Sequence, residues 1–332
     1  MHGGDRCAGR STGPVHQPPD AYIREVTEGR KEMMDRYLGT IVKKVKRQIP
    51  GYFFLLPGFL FIFVFMIFPL FRSLYFSFTN YNFAYDSAPV FSGFDNYIKM
   101  FSDTYFLEAL KNTLTFSILF FPSMMILSLI LALLLDYGCK WSGFFRASIF
   151  LPVVLPLILI GVIFQWILNA QFGLLNFFIE DVLGISSLAK DWLGDANWAM
   201  VSIAFVSVWK YIGMPVVLFT AGLQAIPKSL FEAAHIDGAS GVKQLIYVTL
   251  PNLRESFAMC GVWTIIQSIK VFEQPYIMTQ GGPSNSTLVL YLYLYRNAFN
   301  FFDMGYASAI AYFMGIAILI LSLLNLKMGK SE

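Results

Sequence analysis

Gly51 to Phe71 (GYFFLLPGFLFIFVFMIFPLF) is an unbroken run without one charged side chain. A helix rises about 1.5 Å per residue, so ~20 residues cross a hydrocarbon core about 30 Å thick. Five further stretches reach that length: about Ala109 to Leu135, Ala147 to Leu168, Trp198 to Leu223, Phe257 to Thr279 and Met304 to Leu326. Of 332 residues, 56% are hydrophobic and 14% charged, against about 25% charged in a soluble domain. That much apolar surface requires lipid as its solvent. The expected fold is all-α: a polytopic membrane protein with six core transmembrane helices over residues 51–332. The first run is too long for a signal-peptide core, and no small-residue cleavage site follows it.

Lysine and arginine counts orient such a bundle. With both termini cytoplasmic, the inside loops hold Lys140, Arg146, Lys228, Lys243 and Arg254. The inside tails add Lys43, Lys44, Lys46, Arg47, Lys327 and Lys330, and the outside loops keep Arg72, Lys99, Lys190 and Arg296. The expected location is a bacterial inner membrane, multi-pass, with N- and C-terminus in the cytoplasm. Residues 1–50 form a cytoplasmic tail. Its first twenty residues are rich in Gly, Pro and polar groups, and residues 22–48 suit either an interfacial amphipathic helix or a solvated basic tail. The prolines punctuating the spans (57, 69, 122, 152, 156, 215 and 275) suit a bundle around a path, where neighbours or water satisfy the freed backbone.

The most informative segment is a cytoplasmic loop, Ile226 to Leu253 (IPKSLFEAAHIDGASGVKQLIYVTLPNL). Pro227 suits a helix start, Ser229 to Ile236 a short helix with an apolar side, and Gly238 its stop. A second amphipathic stretch, Val242 to Leu250, precedes Pro251. Such a knob suits a partner's groove. Glu232-Ala233-Ala234, then Asp237-Gly238-Ala239, then Leu250-Pro251 resembles the EAA loop of binding-protein-dependent ABC importers. Val248 stands where Ile is usual. The stretch Thr279 to Thr287, the residues Tyr295, Ala298 and Phe299, the stretch Met304 to Ala309 and Phe172-Gly173-Leu174-Leu175-Asn176 are similar to the sugar-permease, maltose-importer branch of that family.

That resemblance implies a permease subunit that moves a sugar or oligosaccharide by alternating access. Glu232, Ala233, Ala234, Asp237, Gly238, Leu250 and Pro251 would couple it to an ATPase. The implied partners are a second homologous permease in a heterodimer, two ATPase subunits, a periplasmic or extracellular solute-binding protein and membrane lipid. ATP and Mg would be bound by the ATPase. No cofactor is expected in this chain and no nucleic acid as partner.

There is no G-x-x-x-x-G-K-[ST] phosphate loop, H-E-x-x-H or nucleophile elbow. No catalytic residue is expected, and the chain is not an enzyme. Three scattered cysteines and three scattered histidines suggest no metal site.

Ionisable groups cost about 2.5–3.5 kcal/mol each inside a membrane, so Lys210, Lys270 and Glu273 stand out. Lys270 and Glu273 lie three apart, a spacing at which they could pair on one helical face. Trp209 and Gly213 lie beside Lys210, and aromatic faces with amides and hydroxyls suit sugar rings. The family resemblance adds Thr264, Gln267, Ser268 and Val271 as cavity-facing positions. Two lysines in central spans point to an acidic cargo, as in the alginate importers. The competing reading is an ion-coupled secondary carrier for a polar solute, with Lys270 and Glu273 as its relay.

Overall fold

A computed structural model describes residues 54–136 and 142–329, together with the isolated positions 33, 34 and 37. The 1–50 tail expected as a separate region therefore lies almost wholly outside the described residues. Contacts divide the chain into two units, Met1–Leu70 and Phe71–Glu332. In the first, residues 54–70 are helical, apolar and exposed throughout. This helix, α1, is Phe54–Ser77 and is long and apolar enough to cross a membrane.

The second unit opens with a two-stranded antiparallel ribbon, β1 (Thr79–Asn80) against β2 (Val90–Phe91). The short helix α2 (Asp95–Ser102) then leads into α3 (Thr104–Asp136). One face of α3 buries Phe106, Ala109, Thr113, Phe116, Phe120, Met124, Ser128, Ala132 and Leu135, while Ile118, Ile126 and Leu134 face outward. The spacing of three and four is the helical repeat, so α3 has one packed stripe and one lipid-ready stripe.

The next two spans are broken. α4 (Ser142–Val154) and α5 (Leu157–Ile167) meet at 101° across Leu155 and Pro156. α6 (Leu174–Phe177) lies in the following loop. α7 (Ala196–Tyr211) and α8 (Gly213–Ala225) meet at 49°. α3 packs against both, and α4 packs against α8. α9 (Lys228–Ile236) and a helical segment over 242–252 lead to α11 (Arg254–Ile269), taking 242–252 as α10. α12 (Glu273–Met278) packs against α5, α13 is Leu290–Tyr295, and α14 (Met304–Gly329) packs along α11.

The all-α fold is therefore present, with five of the six expected spans as long helices or bent pairs. The fifth departs from expectation. Its helix ends at Ile269, Lys270 caps it, and Glu273 begins a separate helix after Phe272 at φ −144. Lys270 and Glu273 are thus not on one helical face. Among the described residues the one ion pair is Lys99 with Asp303.

Candidate functional site

Two regions at opposite ends of this bundle carry the functional geometry. The chain leaves α8 at one end, forms α9 and α10 there, and re-enters through α11. α9 is closed by a Schellman cap: Gly238 N–H donates to the His235 carbonyl at 3.1 Å and Ala239 N–H to the Ala234 carbonyl at 2.8 Å. The cap needs a left-handed residue, and Gly238 has φ +76. Glu232, Ala233 and Asp237 are exposed and Ala234 is half-buried. Glu232 thus projects from a short, capped helix with no ion-pair partner among the described residues. Phe231, on the other face, packs against a buried cluster of Ala132, Phe219, Leu223, Ile226, Leu253 and Cys260. Leu250 is half-buried and Pro251 exposed in α10, whose Gln244 amide donates to the Ala239 carbonyl at 3.0 Å. All seven expected coupling positions lie on this surface knob or on the segment that returns it to the bundle.

The residues expected to face a transport path are more scattered. Lys210 is 3% exposed, and its ammonium donates to the carbonyls of Pro152 at 2.6 Å, Val153 at 2.9 Å and Leu155 at 2.6 Å. The Val153 and Leu155 carbonyls lose their helical partners where α4 breaks before Pro156, while the Pro152 carbonyl also accepts from the Leu155 N–H at 3.3 Å. Lys210 is a staple across the break, with no donor left for a cargo anion. Gly213 is a close-packing point: a Cβ there would sit 2.9 Å from the Ile149 carbonyl oxygen. Trp209 packs edge-on against Phe164. Thr264 and Ser268 are buried, and their hydroxyls donate to the Cys260 and Ile265 carbonyls of their own helix. Val271 is buried, Gln267 and Glu273 are half-buried, and Lys270 is exposed. Gly213 and Ser268 line two different cavities.

At the far end, hydrogen bonds tie the loops together. Asp103 accepts from the Tyr293 hydroxyl at 2.6 Å, the Tyr306 hydroxyl at 2.7 Å and the Tyr105 N–H at 3.0 Å. Burial pushes this carboxyl up, but the donors outweigh burial and hold it below the usual carboxylate range. Asn112 donates to the Asn285 and Leu288 carbonyls, and Arg296 to the Gln280 carbonyl. These bonds fix the Thr279–Thr287 loop. A polar cavity of about 530 Å³ also opens at this end, where α5 and the loops following it meet. It was not legible in the sequence, because folding alone brings the run 165–172 together with Asp191, Leu193 and Met278. Among the described residues, no group of three or more His, Cys, Asp or Glu is placed to hold a metal.

The sequence pattern of the family described as binding-protein-dependent transport system inner membrane component matches residues 124–326, more than half of the chain and all of the α9–α10 knob. The chain belongs to this family. It is a transport permease rather than an enzyme. It is 36% identical to the probable ABC transporter permease protein YurN of Bacillus subtilis, over 86% of this chain and 98% of that one. It is also 36% identical to the multiple sugar-binding transport system permease protein MsmF of Streptococcus mutans, over 87% of this chain and 98% of the relative. Among solved structures, a chain of a bacterial ABC transporter involved in import of the acidic polysaccharide alginate superposes with a TM-score of 0.74. That match has 22% identity and covers 87% of this chain and 98% of the other, a likeness of fold.

Proposed function

We propose that this permease carries a sugar or oligosaccharide through the bacterial inner membrane and that α9 is the lever through which a separate ATPase drives it. The observation that carries the reading is the exposed, Schellman-capped helix Lys228–Ile236, rooted in the bundle by Phe231. Glu232 offers its carboxylate to a basic group of the ATPase, and Asp237, Gly238, Leu250 and Pro251 hold the knob in shape. When two ATPase subunits close around ATP and Mg, the docked helices move and the bundle exchanges its inward-open and outward-open packings. The assembly contains a second, homologous permease and an external solute-binding protein. Both termini of this chain are cytoplasmic, and it holds no cofactor itself.

The names of the relatives support sugar as cargo, MsmF among them. An acidic cargo has less support from the residues that first pointed to it. Lys210 is spent on backbone carbonyls, and Lys270 is exposed at a helix end. The relay of an ion-coupled carrier loses its basis too, since Lys270 and Glu273 do not share a helix.

The test is a double variant, Glu232→Ala with Gly238→Pro, in the complete importer. Proline cannot adopt the positive φ of position 238, so the cap is lost. ATPase subunits should no longer co-purify, and sugar-stimulated ATP hydrolysis should disappear. Uptake that persists in the variant under an ion gradient without ATPase would overturn the proposal.

A further inference from the structure

The polar cavity at the end of the bundle away from α9 is lined by Gln165, Trp166, Asn169, Gln171, Phe172 and Asp191, with apolar side chains between them. Its walls are held in place. The Gln165 amide donates to the Ile277 and Met278 carbonyls at 2.9 and 3.1 Å, which pins this side chain to α12. The Asn169 carboxamide oxygen accepts from the Gln171 and Phe172 N–H groups, closing a tight turn. Gly173 completes that turn where a Cβ would collide with the Asn169 carbonyl at 2.2 Å. Asn176 donates to the Ala170 and Lys190 carbonyls and accepts from the Trp192 indole, so one side chain braces both loops. Ser202 donates to the Trp192 carbonyl and ties the second loop to α7.

The inward chemistry is equally definite. Trp166 is 69% and Phe172 70% exposed, two large aromatic surfaces on one opening. Among the described residues, the Asn169 amide nitrogen, the Gln171 carboxamide and the second carboxylate oxygen of Asp191 make no hydrogen bond; the first Asp191 oxygen accepts from Gly194 N–H. Asp191 is the one acidic side chain in the lining, which holds no Lys, Arg or His. A volume of this size lies in the range of small-molecule sites, about 300–1,000 Å³. Flat aromatic faces with free amides and a carboxylate acceptor match a sugar ring, whose C–H faces are apolar and whose rim carries hydroxyl donors.

We infer that this cavity is a saccharide subsite at the end of the permease opposite the coupling helix, selective for neutral over anionic sugars. The inference rests on the sugar-import reading and adds to it a place of contact and a charge preference. Trp166 and Phe172 stack on the ring faces, Asn169 and Gln171 bond the hydroxyls, and Asp191 accepts from a hydroxyl pair. The same carboxylate repels a uronate or sulfonate.

The experiment uses the complete importer in detergent, without its binding protein. Maltotriose, lactose and raffinose are the neutral probes and trigalacturonate the anionic one, read by tryptophan fluorescence. At least one neutral probe should change the signal saturably. Trp166→Phe should remove that change, and Gln171→Ala, at an exposed side chain that holds no other part of the fold, should weaken binding at least tenfold. Trigalacturonate should bind at least tenfold more weakly than the best neutral sugar, and Asp191→Asn, which keeps the turn's acceptor, should narrow that gap. The subsite is overturned if no neutral probe changes the signal, if binding is unaltered in Gln171→Ala, or if trigalacturonate binds more tightly. Uptake of the same sugars by the importer in vesicles separates the two levels. If they are imported while the cavity stays silent, the subsite alone fails. If none is imported, the cargo reading fails with it.

Discussion

An ammonium group has three N–H donors and no acceptor, and Lys210 directs all of its capacity to three carbonyls around the break in α4. In lipid the Val153 and Leu155 carbonyls have no water to turn to, and each costs about 1–3 kcal/mol if left unpaired, whereas the Pro152 carbonyl keeps the Leu155 N–H. Lys210→Met should therefore lower the thermal unfolding midpoint of the purified permease by many degrees, while Lys270→Met, at an exposed position, should leave it unchanged. A cargo-binding lysine would behave otherwise, with uptake lost and the midpoint kept. Asp103 makes the complementary case at the other end. Its folded pKa is lowered, so its contribution is complete above the unfolded value of about 3.9 and is lost as pH falls through the folded value. Asp103→Asn should melt below the parent protein at pH 7, with the two curves converging below about pH 4. Sequence alone presents Lys210 as a lone charge in a span, because its partners lie 55–58 residues away.

At the scale of elements, what the sequence reveals depends on how local the cause is. The α9 knob was legible in full, since Pro227, the apolar side with Phe231 and the glycine cap all lie within a dozen residues. The bend between α4 and α5 was foreshadowed by Pro152 and Pro156. The end of α11 was not: Ile269-Lys270-Val271-Phe272 contains neither Gly nor Pro, and the helical spacing of Lys270 and Glu273 misled. Tertiary packing decides that break, with Val271 buried in the core and Phe272 packed against Tyr276, Tyr291 and Tyr295. Phe231 joins α9 to the buried cluster beneath it, beside the contacts of α9 with α10, so part of any force applied to α9 passes through that ring. Phe231→Ala removes a half-buried aromatic from the joint, a loss of about 1–3 kcal/mol of apolar burial. The ATPase should still co-purify, because Glu232 and the exposed face are untouched. ATP hydrolysis should continue while sugar uptake per ATP falls severalfold, which a paired measurement in proteoliposomes reads directly.

For the whole molecule, the distribution of basic residues gains meaning from their partners. At the α9 end, Lys228, Lys243 and Arg254 make no ion pair among the described residues. At the opposite end, Lys99 pairs with Asp303 at 3.5 Å and lies 4.3 Å from the centre of the Tyr306 ring, and Arg296 is bonded to the Gln280 carbonyl. These two cations are tied into structure, but their pairing leaves unchanged the Lys/Arg count on which the expected orientation rests. If the bent pair of α7 and α8 is one span, the single crossing between the Gln171 loop and α9 puts these two sites on opposite sides of the membrane. In a background with Cys7, Cys139 and Cys260 replaced by alanine, single cysteines at His235 and Gln171 should report this. An impermeant maleimide added to intact cells opened at the outer membrane should label Gln171→Cys and spare His235→Cys, and inverted vesicles should reverse the pattern. Equal labelling from one side would mean that α7 and α8 form a re-entrant pair rather than a span. The lever and the cavity would then share a face, and cargo entry and ATP-driven force could not act on opposite sides of the bilayer.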